Sequence, residues 1–168
     1  MSIAEAVERA ATYLMDHPDE ARYRDSYARA TIKSGLLVSV DGPSGESLTT
    51  DMPTGIGGTA SAPSPGWYLR AAAAACVTAL VAIRAASSGI DLGRLEVMVD
   101  SESDDRGILG LDPAIDAGAL SMKVVIAIEA AGRTAAELDE LARWAVKHCP
   151  VTDTIDRAVS TEIEVRVS

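Results

Sequence analysis

Apolar residues at Ile3, Val7, Ala10, Ala11 and Leu14 recur at helical spacing, which predicts an amphipathic helix over about residues 2 to 15, ended by Asp16-His17-Pro18. The period changes at Tyr27. Ala28, Ala30 and Ile32 alternate with polar neighbours, and Leu36, Val38 and Val40 follow before the turn Asp41-Gly42-Pro43-Ser44-Gly45. This predicts a small antiparallel meander between Tyr27 and Thr50. The segment Pro53-Thr54-Gly55-Ile56-Gly57-Gly58-Thr59 is rich in glycine but has no Lys-Ser/Thr and no strand–loop–helix setting. It reads as a bulge or a tight backbone approach rather than a phosphate cradle.

Ser64-Pro65 can cap and start a helix, and no breaker follows Gly66 until about Ser88. A helix of about 24 residues would be about 36 Å long at 1.5 Å per residue. Leu69, Ala73, Cys76, Leu80 and Ile83 form one face, while Ala72, Ala75, Ala79 and Ala82 widen it almost all round. A helix apolar on most sides must be covered on most sides, and small residues admit a second backbone, so two such helices are expected to pack across a dimer. Strand patterns follow Gly89, with Leu95, Val97 and Val99 in alternation and later Met122, Val124, Ile126 and Ile128. The connection between them, Ser101 to Ser121, contains Asp104-Asp105-Arg106-Gly107-Ile108-Leu109-Gly110 and is of the length that is usually functional or mobile. Thr134-Ala135-Ala136-Glu137 matches a capping box for a helix whose face runs Leu138, Leu141, Ala142, Ala145 and Cys149. Pro150 begins a short helix through about Arg157, and Ile163, Val165 and Val167 alternate in a final strand from Thr161 to Val167. The order is α+β, in one domain of 168 residues with residues 1–26 as a helical lead-in.

Composition narrows the function. A chain that is 48% hydrophobic and 24% charged is globular rather than disordered. A formal charge of −10 argues against nucleic acid, because phosphate binding needs clustered Lys and Arg. No membrane span is expected, since Arg70 and Arg84 close the alanine-rich run below the roughly 20 apolar residues required. Glu5, Glu8 and Arg9 near Met1 do not make an export signal, so the expected location is the cytoplasm, where a disulfide would be transient and chemical.

The candidate chemistry lies in two cysteines, Cys76 and Cys149, each carried inward by a helical period. Such thiols are either small core residues or a redox pair. Two cysteines and two histidines without close ligand spacing do not form a zinc pattern, and no metal or other cofactor is expected. His148 could act on its neighbour Cys149, or serve as an exposed polar residue, since adjacent helical residues point different ways. Trp67 and Tyr68 could line an apolar entrance or simply pack the helix start, and Arg70 and Arg84 read as the edge of the long helix.

Pro65-Gly66-Trp67-Tyr68-Leu69-Arg70-Ala71-Ala72-Ala73-Ala74-Ala75-Cys76, the Gly57-Gly58 loop, Asp105-Arg106-Gly107-Ile108-Leu109-Gly110 and His148-Cys149-Pro150-Val151-Thr152-Asp153-Thr154-Ile155 resemble the OsmC/Ohr family of osmotically inducible and organic hydroperoxide resistance proteins, over roughly residues 27 to 167. The resemblance implies antiparallel sheets around a long central helix, in an intertwined homodimer with a site at each end of the interface. It also implies a thiol peroxidase. Cys76 matches the peroxidatic position, becoming a sulfenic acid on attack at an organic hydroperoxide, and Cys149 matches the resolving position. A cellular dithiol, a lipoyl protein among the candidates, would reduce the resulting disulfide. Active members carry a glutamate in an Asn-Pro-Glu motif and an arginine that together activate the thiol. This chain has Ser64-Pro65-Gly66 at that place, without the carboxylate, and Arg29 and Arg106 are the candidates for the cation. The competing expectation is a non-catalytic dimer of the same fold that binds a small apolar or thiol-reactive ligand.

Overall fold

The computed structural model describes residues 1–167, and its internal contacts divide into two compact units, Met1–Ala71 and Ala72 onward. In the first unit α1 spans Ile3–Asp16 and opens with a full capping box: the Glu5 amide donates to Ser2 Oγ and the Ser2 amide to the Glu5 carboxylate. None of its residues is buried. Strands β1 (Arg29–Ser34), β2 (Leu37–Asp41) and β3 (Ser47–Thr50) form the expected antiparallel meander in the order β1-β2-β3. Gly35, at φ +56°, turns the first hairpin.

The long helix α2 runs Pro65–Ser87, with the Trp67 amide on Ser64 Oγ at 3.3 Å. In the first unit its opening turn is tied to β3 by Tyr68 Oη, which donates to the Thr49 carbonyl at 3.0 Å. By length and composition alone α2 is apolar enough to cross a membrane, with a mean hydropathy of 1.6, so Arg70 and Arg84 do not shorten it as expected.

The second unit holds the remainder of α2 together with β4 (Leu92–Glu102), α3 (Asp105–Ile108), β5 (Ser121–Ala130), α4 (Ala135–His148) and α5 (Pro150–Asp156). β4 and β5 pair antiparallel, opposing Leu95 to Ile128, Val97 to Ile126 and Val99 to Val124 on one face. That face packs on a core in which two rows meet: Val77, Val81 and Ala85 from α2, and Leu141, Ala145 and Cys149 from α4. Both rows have a spacing of four, the register in which ridges of paired helices interdigitate. The buried stripe of α2 is therefore Ala73-Val77-Val81-Ala85, rotated from the expected face; Cys76 and Leu80 flank it and Leu69 stays 44% exposed. A helix apolar nearly all round carries no unique face, so the opposing row on α4 selects it.

Two further expectations change. The connection after β4 is shorter than expected and built: Asp104 caps α3, the Leu120 amide bonds the Glu102 carbonyl at 2.8 Å, and a Cβ on Gly107 would strike the Asp116 carbonyl. The terminal stretch from Thr161 is in no sheet among the described residues, and Ile163 and Val165 are 81% and 76% exposed. Its alternation is suited to a strand, but among the described residues it pairs with neither sheet.

Candidate functional site

Cys76 precedes Val77 on α2 and so borders the buried row, half-buried, whereas Cys149 ends the α4 row with no exposed surface. Both thiols are free, and they meet inside the second unit, with the Cys76 S–H donating to the Cys149 sulfur. Burial pushes the Cys76 thiol up from its ordinary value, and the Cys149 sulfur raises it further, against a smaller opposing effect of the Val151 amide. Burial also acts to raise Cys149, but the Thr152 amide, the Cys76 S–H, the Thr152 hydroxyl and the Val151 amide outweigh it, and the net direction is downward. None of these amides has the geometry of a formal cap hydrogen bond, so the effect is cumulative. In the reduced pair the proton therefore belongs to Cys76 and the developing charge to Cys149.

The helix breaks at Cys149, whose extended backbone closes α4 and opens α5 at Pro150. Thr152 holds this corner. Its hydroxyl donates to the carbonyls of Val146 at 2.8 Å and Cys149 at 3.2 Å, and the residue is only 8% exposed. Sequence reasoning missed Thr152; the available signal was a hydroxyl three residues after a helix-opening cysteine, a position where Thr is unremarkable on its own.

The other anticipated residues are distributed more widely. Arg106, on the connection after β4, places its guanidinium on both oxygens of Asp104, with Nε at 3.0 Å from Oδ1 and Nη2 at 2.5 Å from Oδ2, and holds that carboxyl down to about 2. Arg29 opens β1 in the first unit, with its guanidinium 5.2 Å from the Tyr27 ring centroid. At Gly66, in place of the family carboxylate, an added Cβ would meet Arg70 Nη1 at 3.7 Å. His148 is exposed and stacked on Trp144 at 4.2 Å, with Nδ1 2.7 Å from the Trp144 carbonyl oxygen, and Arg84 lies 4.9 Å from the Trp144 ring centroid. These contacts favour the polar-surface reading of His148 and the helix-edge reading of Arg84. Trp67 and Tyr68 pack edge to face at 5.2 Å. A groove of about 670 Å³ lies between β5, α4 and α5, floored by Val124, Ile126, Ala142 and Val146 and rimmed by Arg143, Lys147, Asp153 and Asp156.

A second organised feature, also missed, follows β3 in the first unit. Asp51 is 2% exposed and accepts from the Met52, Thr59 and Ser61 amides and from the Thr59 and Ser61 hydroxyls, at 2.6 to 3.1 Å. The Thr59 hydroxyl and Ser61 amide lead in holding the carboxyl far below the usual range. The clamp gathers residues 52–61, and a Cβ on Gly58 would collide with the Met52 carbonyl, a tight backbone approach of the kind expected in the segment Pro53 to Thr59.

A family model described as OsmC-like protein matches residues 58–164, well over half of the chain. No curated protein sequence matches significantly. Among solved structures, an OsmC-like protein from Mycoplasma pneumoniae aligns at 18% identity and a TM-score of 0.67, covering 80% of this chain and 89% of its own. An organic hydroperoxide resistance protein OsmC from Legionella pneumophila aligns at 21% identity and 0.59, covering 80% and 90%. An organic hydroperoxide resistance protein from Elizabethkingia anophelis gives 20% identity and 0.57, over 79% and 89%. At these identities the likeness is one of fold.

Proposed function

The chain belongs to the OsmC-like protein family, and on that premise we propose that it is a thiol-dependent peroxidase reducing organic hydroperoxides through Cys76 and Cys149. The observation that carries this reading is the contact between two free thiols, one half-buried and one fully buried, in the apolar core of the second unit. Cys76, the more accessible, attacks the distal peroxide oxygen as a thiolate; the O–O bond breaks, an alkoxide leaves to be protonated, and Cys76 becomes a sulfenic acid. Cys149 then attacks the Cys76 sulfur, the S–O bond breaks, and hydroxide leaves behind a disulfide. A cellular dithiol such as a lipoyl protein returns both thiols. The names of the Legionella and Elizabethkingia relatives support the substrate class.

Arg29 and Arg106 are the proposed cations for Cys76, Arg106 after release from Asp104. The proposed assembly is an intertwined homodimer in the cytoplasm, with the exposed alanines of α2, Ala72, Ala75 and Ala79, against the second copy. The upward direction of the Cys76 thiol and the absence of a carboxylate at Gly66 favour the second reading, a dimer that binds a small apolar or thiol-reactive ligand without turnover.

The reduced protein mixed with one equivalent of cumene hydroperoxide and followed by mass separates the two. Peroxidase chemistry gives a rapid Cys76–Cys149 disulfide, and a sulfenic acid trapped at Cys76 in Cys149→Ser. Thiols that survive excess peroxide for minutes leave the binding protein.

A further inference from the structure

Thr152 is more than nine-tenths buried, and its hydroxyl has two acceptors at the junction of two helices: the Val146 carbonyl in the last turn of α4 and the Cys149 carbonyl at the corner. The Asp153 amide bonds the Cys149 carbonyl as well, at 2.9 Å, so the cysteine backbone is held from two successive residues of α5. We infer that Thr152 is a positioning residue for Cys149, fixing the α4–α5 corner so that the Cys149 sulfur stands against Cys76 and closes the disulfide.

The inference rests on the two-thiol reading of the site but not on the identity of the oxidant. Two elements act on the Cys149 sulfur. Cys76 reaches it from α2, and Val151 and Thr152 from α5, while α4 and the β4–β5 sheet add Leu141, Ala145, Val124 and Ile126 to the surrounding cluster. Disulfide closure requires Cys149 to attack along the line of the bond that breaks, so a rotation of the corner by one side-chain rotamer removes the attack geometry. Loss of the hydroxyl also strands the Val146 carbonyl without its side-chain donor and withdraws one of the influences that lower the Cys149 thiol. The change is therefore one of rate and of pH dependence as well as of stability.

The test uses diamide, which takes two electrons from the thiol pair and is itself reduced from a diazene to a hydrazine, so no peroxide is needed. Formation of the Cys76–Cys149 disulfide is followed by mass from pH 6 to 9 in the reduced full-length protein, in Thr152→Val and in Thr152→Ser. Thr152→Val is expected to close about tenfold more slowly at pH 7 because the attacking sulfur is no longer held in line, with the pH midpoint displaced upward. Thr152→Ser, which keeps the hydroxyl, restores both. If Thr152→Val does not fold, Thr152→Ala, which also lacks the hydroxyl, decides in its place. A valine or alanine variant that closes with the wild-type pH profile, even at a lower melting temperature, overturns the inference, as does wild-type protein whose thiols do not close with diamide. Thr152-dependent closure in a protein inert to cumene hydroperoxide would instead sink the peroxidase reading and leave the role of Thr152 standing.

Discussion

Val81→Ala tests which face of α2 builds the core. Val81 has no exposed surface and sits between Val77 and Ala85 in the row that meets Leu141, Ala145 and Cys149. The substitution removes two buried methyl groups, a transfer loss of about 1.6 kcal/mol at about 0.8 kcal/mol per group. Its row neighbours are a stiff valine and an alanine, and Ala145 opposite is small, so the site collapses poorly. A residual cavity adds about 24 cal/mol per Å³, bringing the expected cost to about 2–3 kcal/mol. Leu69→Ala deletes a larger side chain from the face that the sequence pattern favours, but Leu69 is 44% exposed, and the expected cost is about 1 kcal/mol or less. Urea unfolding followed by tryptophan fluorescence reads the difference: at an m of about 1–3 kcal/mol/M the Val81→Ala midpoint falls by about 1 M with unchanged slope. Measurement at two protein concentrations separates packing from subunit association. A Val81→Ala cost within about 0.5 kcal/mol of wild type, or a Leu69→Ala cost equal to it, would refute the rotated core.

Asp51→Asn replaces a carboxylate that accepts five hydrogen bonds with an amide whose NH₂ confronts amide and hydroxyl donors, so residues 52–61 are expected to become protease-sensitive, checked by limited proteolysis and mass. Because the folded carboxyl lies below its unfolded value of about 3.9, its contribution is fully present above about pH 4 and is lost as pH falls through the depressed folded value. Acid unfolding should thus begin earlier in Asp51→Asn, while the wild-type stability from pH 5 to 8 owes no slope to this group. Ala79→Glu places a charge on the exposed alanine face of α2; if that face meets a second copy, size-exclusion with light scattering finds a dimer for wild type and a monomer for the variant, and two equal masses would exclude it as the interface.

Local signals in the chain were the readable ones. The Thr134–Glu137 capping box and Ser64-Pro65 before α2 act within a few residues, and both helices begin where those residues place them, whereas the Ser2–Glu5 box of α1 was found only in the structure. The face of α2 was not readable, because alanine surrounds it and only the row on α4 distinguishes Val77 and Val81 from Leu80 and Ile83. Alternation at Ile163, Val165 and Val167 describes a segment able to pair, but alternation names no partner strand, and among the described residues this segment joins neither sheet. Within the site, both cysteines followed from helical period and from resemblance, whereas Thr152 and Asp51 act through backbone carbonyls and amides that acquire positions only in the folded chain.

Ionisation of the pair decides whether one chain is competent on its own. With the Cys76 S–H donating to Cys149, the two thiols titrate as a unit whose first proton is lost mainly from Cys149, and the nucleophile at Cys76 is held in its protonated form. Removing Cys149 removes both its hydrogen-bond and its charge effects on Cys76, leaving burial as the principal upward influence. Cys149→Ser should therefore lower the Cys76 thiol toward its ordinary value and speed its alkylation by iodoacetamide at pH 7, with the midpoint of the rate–pH profile shifted down. The opposite outcome is equally specific. Rapid alkylation of Cys76 in wild type well below the ordinary cysteine range, unchanged by Cys149→Ser, would require a cation already seated at the thiol. Arg29→Ala and Arg106→Ala would then show which guanidinium it is, since only the seated one raises the alkylation midpoint when removed.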